Sequence, residues 1–356
     1  VGFAFNEYFI NDLLRDELGF KGYINSDSGI LDNMSWGIEN LEKDDRAAKA
    51  INAGTDIIAD TNQVQWIKKA YDSGKISEER IDEAVGRLLL EFFKLGLFDE
   101  KTYVDPEQAV KVVANQENWD KAYKAHQKSV VLLKNQSVLP LKENSKVYIE
   151  FFHKEADKAV AYTNEAREKV KEHSGLELVE NVEEADVAFV ILYPKSGNYF
   201  SATPGLLELA ICENKTNHAL DGTEYTETTI SDLDRVFEIA EKVHAHGGRF
   251  ILSVNSNMPW LLDGIEPMAD ALIANFETLI EAQLDVISGN VAPTGKLPFT
   301  FPKNEEVIAV DENGECVSRN DVPGYDKDLY LPEGMEYAYR DADDNVYKLG
   351  YGLSYD

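Results

Sequence analysis

The sequence predicts an α/β chain: a series of βα units over the first 120 residues, then a doubly wound αβα sandwich over residues 121–302. Three observations predict it. Short apolar runs such as Val187-Ala188-Phe189-Val190-Ile191-Leu192 show no polar alternation, as strands buried on both faces do. Stretches with apolar residues at three- and four-residue steps separate them, and glycines close several of those stretches.

Phe9, Ile10, Leu13, Leu14 and Leu18 recur at helical spacing, with Asn6 as N-cap and Gly19 as stop, so an amphipathic helix is expected over 6–18. Tyr23-Ile24-Asn25 reads as a short strand that delivers Asp27 to its C-terminal end. An alanine-rich helix over 43–53 ends at Gly54, Asp56-Ile57-Ile58-Ala59 is a second strand, and 62–72 is helical. Ser77 is an N-cap with Glu78 and Glu79 in its first turn. Ile81, Val85, Leu88, Phe92 and Leu95 then mark a long helix that stops at Gly96. Residues 99–120 are polar, contain Pro106 and form a bridge with some helix, which places a boundary near Asp120.

Beyond it, a helix runs to Ser129, followed by strands over 130–133 and 147–152, a helix over 159–173 and a strand over 187–193. After a polar interval come a helix over 233–246, strands over 250–254 and 271–275, and a helix over 279–288. Parallel strands covered on both faces fit this order. Residues 303–356, rich in Asp, Gly, Pro and Tyr, read as an extended wrapping segment rather than a core.

Composition removes several function classes. Acidic residues outnumber basic ones 65 to 35, giving a net charge of -30, so a nucleic-acid backbone would be repelled. No apolar run is long enough to cross a membrane as a helix. Cys212 and Cys316 lie far apart and read as inert thiols, not as a metal ribbon or a disulfide framework. No Gly-x-Gly-x-x-Gly or Walker lysine loop follows a strand, and no His-Glu-x-x-His or Gly-x-Ser-x-Gly occurs. His244 and His246 point in different directions on a helix, beside its Gly247-Gly248 stop, which does not suit a metal site. The chain opens Val1-Gly2-Phe3, so processing or excision is expected.

Carboxylates remain. Asp27 occupies the strand end from which barrel enzymes project catalytic groups, although an Asp capping the next helix would look the same. The long interval 196–229 holds Glu208, Glu213, Glu224 and Glu227 among Tyr199, Phe200 and Tyr225. A glutamate brought from there to Asp27 would make the pair of acids that glycoside hydrolysis needs, and a solvated acidic loop is the plainer reading.

Five strings, in order, resemble glycoside hydrolase family 3. Leu13-Leu14-Arg15-Asp16-Glu17-Leu18-Gly19-Phe20-Lys21-Gly22-Tyr23-Ile24-Asn25-Ser26-Asp27 is similar to the segment leading to that family's nucleophile. Gly86-Arg87-Leu88 with Lys94-Leu95-Gly96-Leu97-Phe98 resembles its last barrel helix. Ser129-Val130-Val131-Leu132-Leu133-Lys134-Asn135 with Leu139-Pro140-Leu141 resembles the sandwich entry. Thr294-Gly295-Lys296-Leu297-Pro298 resembles the sandwich exit, and Leu349-Gly350-Tyr351-Gly352-Leu353-Ser354-Tyr355 the approach to a fibronectin-like domain.

The resemblance implies that residues 1–120 are the C-terminal part of a (β/α)8-type barrel and that 303–356 lead to a fibronectin-like domain absent here. It implies a retaining exo-β-glycosidase of β-glucosidase type, with β-xylosidase or a related exo-glycosidase as alternative, acting on small saccharides or β-glycosides without cofactor or metal. Asp27 would be the nucleophile and Glu227, in Tyr225-Thr226-Glu227-Thr228, the acid/base, with Glu224 as alternative; retention places the two carboxyls about 5 Å apart. Where members often carry Trp after the nucleophile this chain has Ser28, and Ser28, Trp36, Tyr199 and Phe200 are the candidate substrate-binding residues, the aromatic ones to face the sugar. The earlier barrel strands, with their sugar-gripping Lys-His and Arg residues, have no counterpart in the chain. Their supply in cis or by a second chain, and negligible activity of the isolated chain, are therefore expected. The rival reading is a sugar-binding remnant without turnover.

Overall fold

The structure is a computed structural model that describes residues 2–32, 37–38, 40–59, 62, 64–100, 105–113, 115–173, 175–196, 208–218, 224–308, 331 and 333–355. Trp36, Tyr199, Phe200 and Cys316 lie outside the described residues. The chain divides into two compact units, Val1–Val112 and Val113–Asp356. The expected boundary near Asp120 falls within the helix Gln116–Ser129.

In the first unit a π-helix, Tyr8–Glu17, stands where the sequence predicts an α-helix, and the Leu18 amide bonds to Leu13 O five residues back. Apolar spacing of three and four does not distinguish the two windings. The following helices are α1 (Lys43–Asn52), α2 (Val64–Asp72), α3 (Glu78–Lys94) and α4 (Pro106–Val112). Ser77 caps α3 by accepting from the Arg80 amide at 3.2 Å. Gly54 adopts φ +108°, and a Cβ there would lie 2.5 Å from Ile10 Cγ2, so only glycine lets the chain turn beneath the π-helix. The two expected strands reduce to one parallel bridge, Asn25 to Ile57.

Ala47, Ala50 and Ile51 of α1 and Ala70 of α2 are buried, and a three-cornered ion pair joins these helices at their surface. Asp44 Oδ1 meets Lys69 Nζ at 2.8 Å, and Oδ2 meets Lys75 Nζ at 2.7 Å. Hydrogen bonds from Lys69 and then Lys75 hold the Asp44 carboxyl down to about 2, from an ordinary 3.8. A depressed acid stabilises the fold above its unfolded value and loses that contribution as pH falls through the folded one. Asp44→Asn is therefore expected to flatten the fall in melting temperature between about pH 4 and pH 2, read by circular dichroism.

The second unit begins with α5 (Gln116–Ser129), capped by Asn115 through the Asn118 amide. Its strands are β1 (Val131–Asn135), β2 (Ser145–His153), β3 (Leu176–Leu178), β4 (Val187–Tyr193), β5 (Lys215–His218), β6 (Glu224–Glu227), β7 (Arg249–Asn255) and β8 (Ala271–Asn275). The further helices are α6 (Ala156–Glu172), α7 (Leu233–Ala245), α8 (Ile280–Ile287) and α9 (Glu305–Ile308). Among the described residues, six strands form one sheet in the order β1-β8-β7-β4-β2-β3. Five run parallel; β1 pairs antiparallel with β8, a direction its unbroken apolar run does not encode.

The sheet separates two apolar layers. One holds Tyr148, Leu192, Val236, Phe250 and Trp260, the other Ile149, Phe189, Ile191, Ile251 and Leu284. The segment beyond residue 302, expected to lie outside the core, enters it among the described residues: Tyr347 is fully buried, and Leu353 bridges Leu132 on the edge strand β1. A covered edge strand is protected from pairing with other chains. A Cβ on Gly295 would lie 2.3 Å from Val130 O, and one on Gly352 would lie 2.4 Å from Gly295 O. Backbone-to-backbone passage thus requires both glycines.

Candidate active site

In the first unit, Ile57 N donates to Ile24 O at 3.0 Å and Ser26 N to Ile57 O at 2.9 Å, and Asp27 follows immediately. Its carboxylate is exposed, and Oδ1 accepts from the Ser28 amide at 2.7 Å. Gly29, at φ +65°, turns the chain away. Asp27 stands at the wall of a cavity of about 730 Å³ whose lining is mainly apolar, including Phe5, Phe9, Ile10 and Ile24. Ser28 is exposed beside it.

Three residues before Asp27, the segment is anchored by a residue that sequence reasoning missed. The fully buried Asp56 carboxylate accepts from Ile24 N at 2.9 Å, Arg15 Nη2 at 2.8 Å, Arg80 Nη2 at 2.8 Å and Arg87 Nη1 at 3.0 Å. Burial, then the neighbouring Arg87, pushes the Arg15 guanidinium below its ordinary pKa. These three arginines come from the π-helix and α3, up to 41 positions from Asp56, and no spacing rule links them.

In the second unit, β5 and β6 form a hairpin that pairs Lys215 with Glu227 and His218 with Glu224. Strand alternation turns Tyr225 and Glu227 inward and leaves Glu224 exposed, 3.4 Å from His218 Nε2. Glu227 is 2% exposed, and its Oε1 meets Lys154 Nζ at 2.8 Å. Lys154 directly follows β2, and Ser231 Oγ donates to its carbonyl at 2.7 Å. The chain leaves β2 for β3 on one side, while β4 lies on the other, so Lys154 and Glu227 occupy the reversal point where doubly wound sheets offer a ligand crevice. The His153 ring there stacks on Tyr193 at 5.5 Å, and burial pushes its pKa down.

Glu208 and Glu213, the other glutamates of the interval, are engaged in local structure. Glu208 accepts from the Ala210 amide and Asn217 and pairs with Lys215 at 3.0 Å, and Glu213 Oε2 accepts from the Leu233 amide at the start of α7. Of the histidine pair, His244 Nε2 meets Asp270 at 2.8 Å and His246 Nε2 meets Ala185 O at 2.9 Å.

Residues 130–355 match the model of the glycosyl hydrolase family 3 C-terminal domain, and residues 3–90 that of the family 3 N-terminal domain. The chain belongs to glycoside hydrolase family 3. Among family 3 proteins it is 31% identical to the beta-glucosidase C of Emericella nidulans over 376 residues, covering all of this chain and 51% of that protein. It is 27% identical to the periplasmic beta-glucosidase/beta-xylosidase of Dickeya chrysanthemi, covering 86% of this chain and 45% of that one. The beta-glucosidase of Listeria innocua, solved in complex with glucose, shares the fold at a TM-score of 0.63 and 22% identity, covering 99% of this chain and 49% of that one. The chain thus spans about half the length of the relatives it matches.

Proposed function

We propose that this chain carries the two reacting acids of a retaining exo-β-glycosidase of β-glucosidase type. The observation that carries the reading is Asp27 itself: an exposed carboxylate just past the parallel bridge of Asn25 to Ile57, on a cavity wall, in a family 3 chain. With Oδ1 held by the Ser28 amide, Oδ2 attacks the anomeric carbon and forms a glycosyl ester as the bond to the aglycone oxygen breaks. Glu227 gives that oxygen its proton, then takes one from the water that cleaves the ester, so the product keeps the β configuration. Terminal β-glucosides are the proposed substrates, and the name of the Dickeya relative supports β-xylosides as the second choice.

The test uses the protein as its host produces it. Hydrolysis of nitrophenyl β-glucoside is expected to release the β-anomer first, seen by proton NMR; an α-anomer first, or no turnover, contradicts the reading, and the latter favours a sugar-binding remnant. Glu227→Gln is expected to lower kcat/KM roughly 10²–10⁴-fold for a disaccharide and far less for a dinitrophenyl glycoside, whose leaving group needs no proton. If Glu224→Gln shows that pattern instead, the acid/base role moves to Glu224.

A further inference from the structure

We infer that Ser26 is a positioning residue for the nucleophile, acting through its hydroxyl as a substitute rung in the ladder between the two barrel segments. The inference rests on the reading of Asp27 as the attacking group.

In a parallel ladder that contains the bonds Ile57 N to Ile24 O and Ser26 N to Ile57 O, the next rung runs from Ala59 N to the carbonyl of Ser26. Here Ala59 N donates instead to Ser26 Oγ, at 3.0 Å. The same hydroxyl donates to the carbonyl of Asp27 at 2.7 Å. The backbone therefore leaves the regular ladder one residue before the nucleophile, and the hydroxyl of Ser26, a residue 7% exposed, takes the place of the missing rung before Gly29 N rejoins Ala59 O at 3.4 Å. It accepts from one segment and donates to the other, which fixes the Asp27 peptide plane against Ala59. The Asp27 carboxylate is tied locally by the Ser28 amide, so the direction of its Cα–Cβ bond depends on that plane. A displacement of the attacking atom by about 1 Å costs on the order of 10²-fold in rate. Alanine at 26 removes both bonds, whereas threonine keeps the hydroxyl.

The test measures the first-order rate constant of inactivation by saturating 2-deoxy-2-fluoro-β-glucosyl fluoride, in the protein as its host produces it. This constant counts folded sites only, so partial unfolding does not lower it. Ser26→Ala is expected to reduce it roughly 10- to 100-fold, with the reagent's half-saturation concentration little changed, and Ser26→Thr to recover most of the loss. An Ala variant within twofold of wild type, or a Thr variant no faster than Ala, overturns the inference. Asp27→Asn is run alongside: if it reacts as fast as wild type the nucleophile reading itself fails, and if it alone is inert while Ser26→Ala is normal, only the Ser26 inference fails.

Discussion

Asp27→Ala is expected to lower kcat on nitrophenyl β-glucoside by on the order of 10⁴-fold, the scale seen when a covalent nucleophile is removed from a site that otherwise stays assembled. The fold should be indifferent to the change. Asp27 is exposed, and among the described residues its carboxylate bonds to the adjacent Ser28 amide, with no core contact or buried ion pair to lose. The melting temperature is therefore expected to stay near wild type, and added azide should restore turnover with formation of the α-glycosyl azide, because the small anion attacks from the side the carboxylate vacated. An Asp27→Ala protein that keeps its kcat, or that loses activity only together with its melting transition, would contradict the role.

The largest effect on stability is expected at Asp56. This fully buried carboxylate faces three guanidinium groups, of which Arg80 and Arg87 share Oδ1 and Arg15 takes Oδ2. Removing one partner of a buried ionic network leaves the remaining charges without compensation and costs about 3–5 kcal/mol, more than the network is worth against an apolar replacement. Asp56→Ala leaves three cations clustered, with Glu83 as the nearby acid contacting Arg80 and Arg87, and it frees the Ile24 amide as well. Chemical denaturation of wild type and variant should show a loss in that range. A loss below about 1 kcal/mol would mean that the arginines find solvent or other acids at little cost.

These two residues show what the sequence does and does not reveal. Asp27 is legible because its surroundings are local: a short strand-like run, small polar residues and a glycine turn lie within seven positions, from Tyr23 to Gly29. The Ser77 cap and the sandwich strands are legible for the same reason, since capping and burial on both faces leave marks in adjacent residues. Asp56 reads as the opening residue of a short strand, and nothing near it announces three arginines that arrive through tertiary packing. In the sequence Glu227 is favoured over Glu224 by the family resemblance of Tyr225-Thr226-Glu227-Thr228 alone, since both read as acids of one polar interval. The hairpin register, which depends on pairing across the strands, sends Glu227 inward to Lys154 and Glu224 outward to His218. The direction of β1 and the winding of the π-helix are likewise set by neighbours and not by composition.

The covalent intermediate is the centre of the account, and trapping it is the most direct test. Treatment of the host-produced protein with 2-deoxy-2-fluoro-β-glucosyl fluoride, followed by proteolysis and tandem mass spectrometry, should find one fluoroglucosyl group per site. The modified residue should be Asp27, in the peptide containing Tyr23-Ile24-Asn25-Ser26-Asp27. A sugar adduct on any other residue, or rapid turnover with no adduct at all, would contradict it.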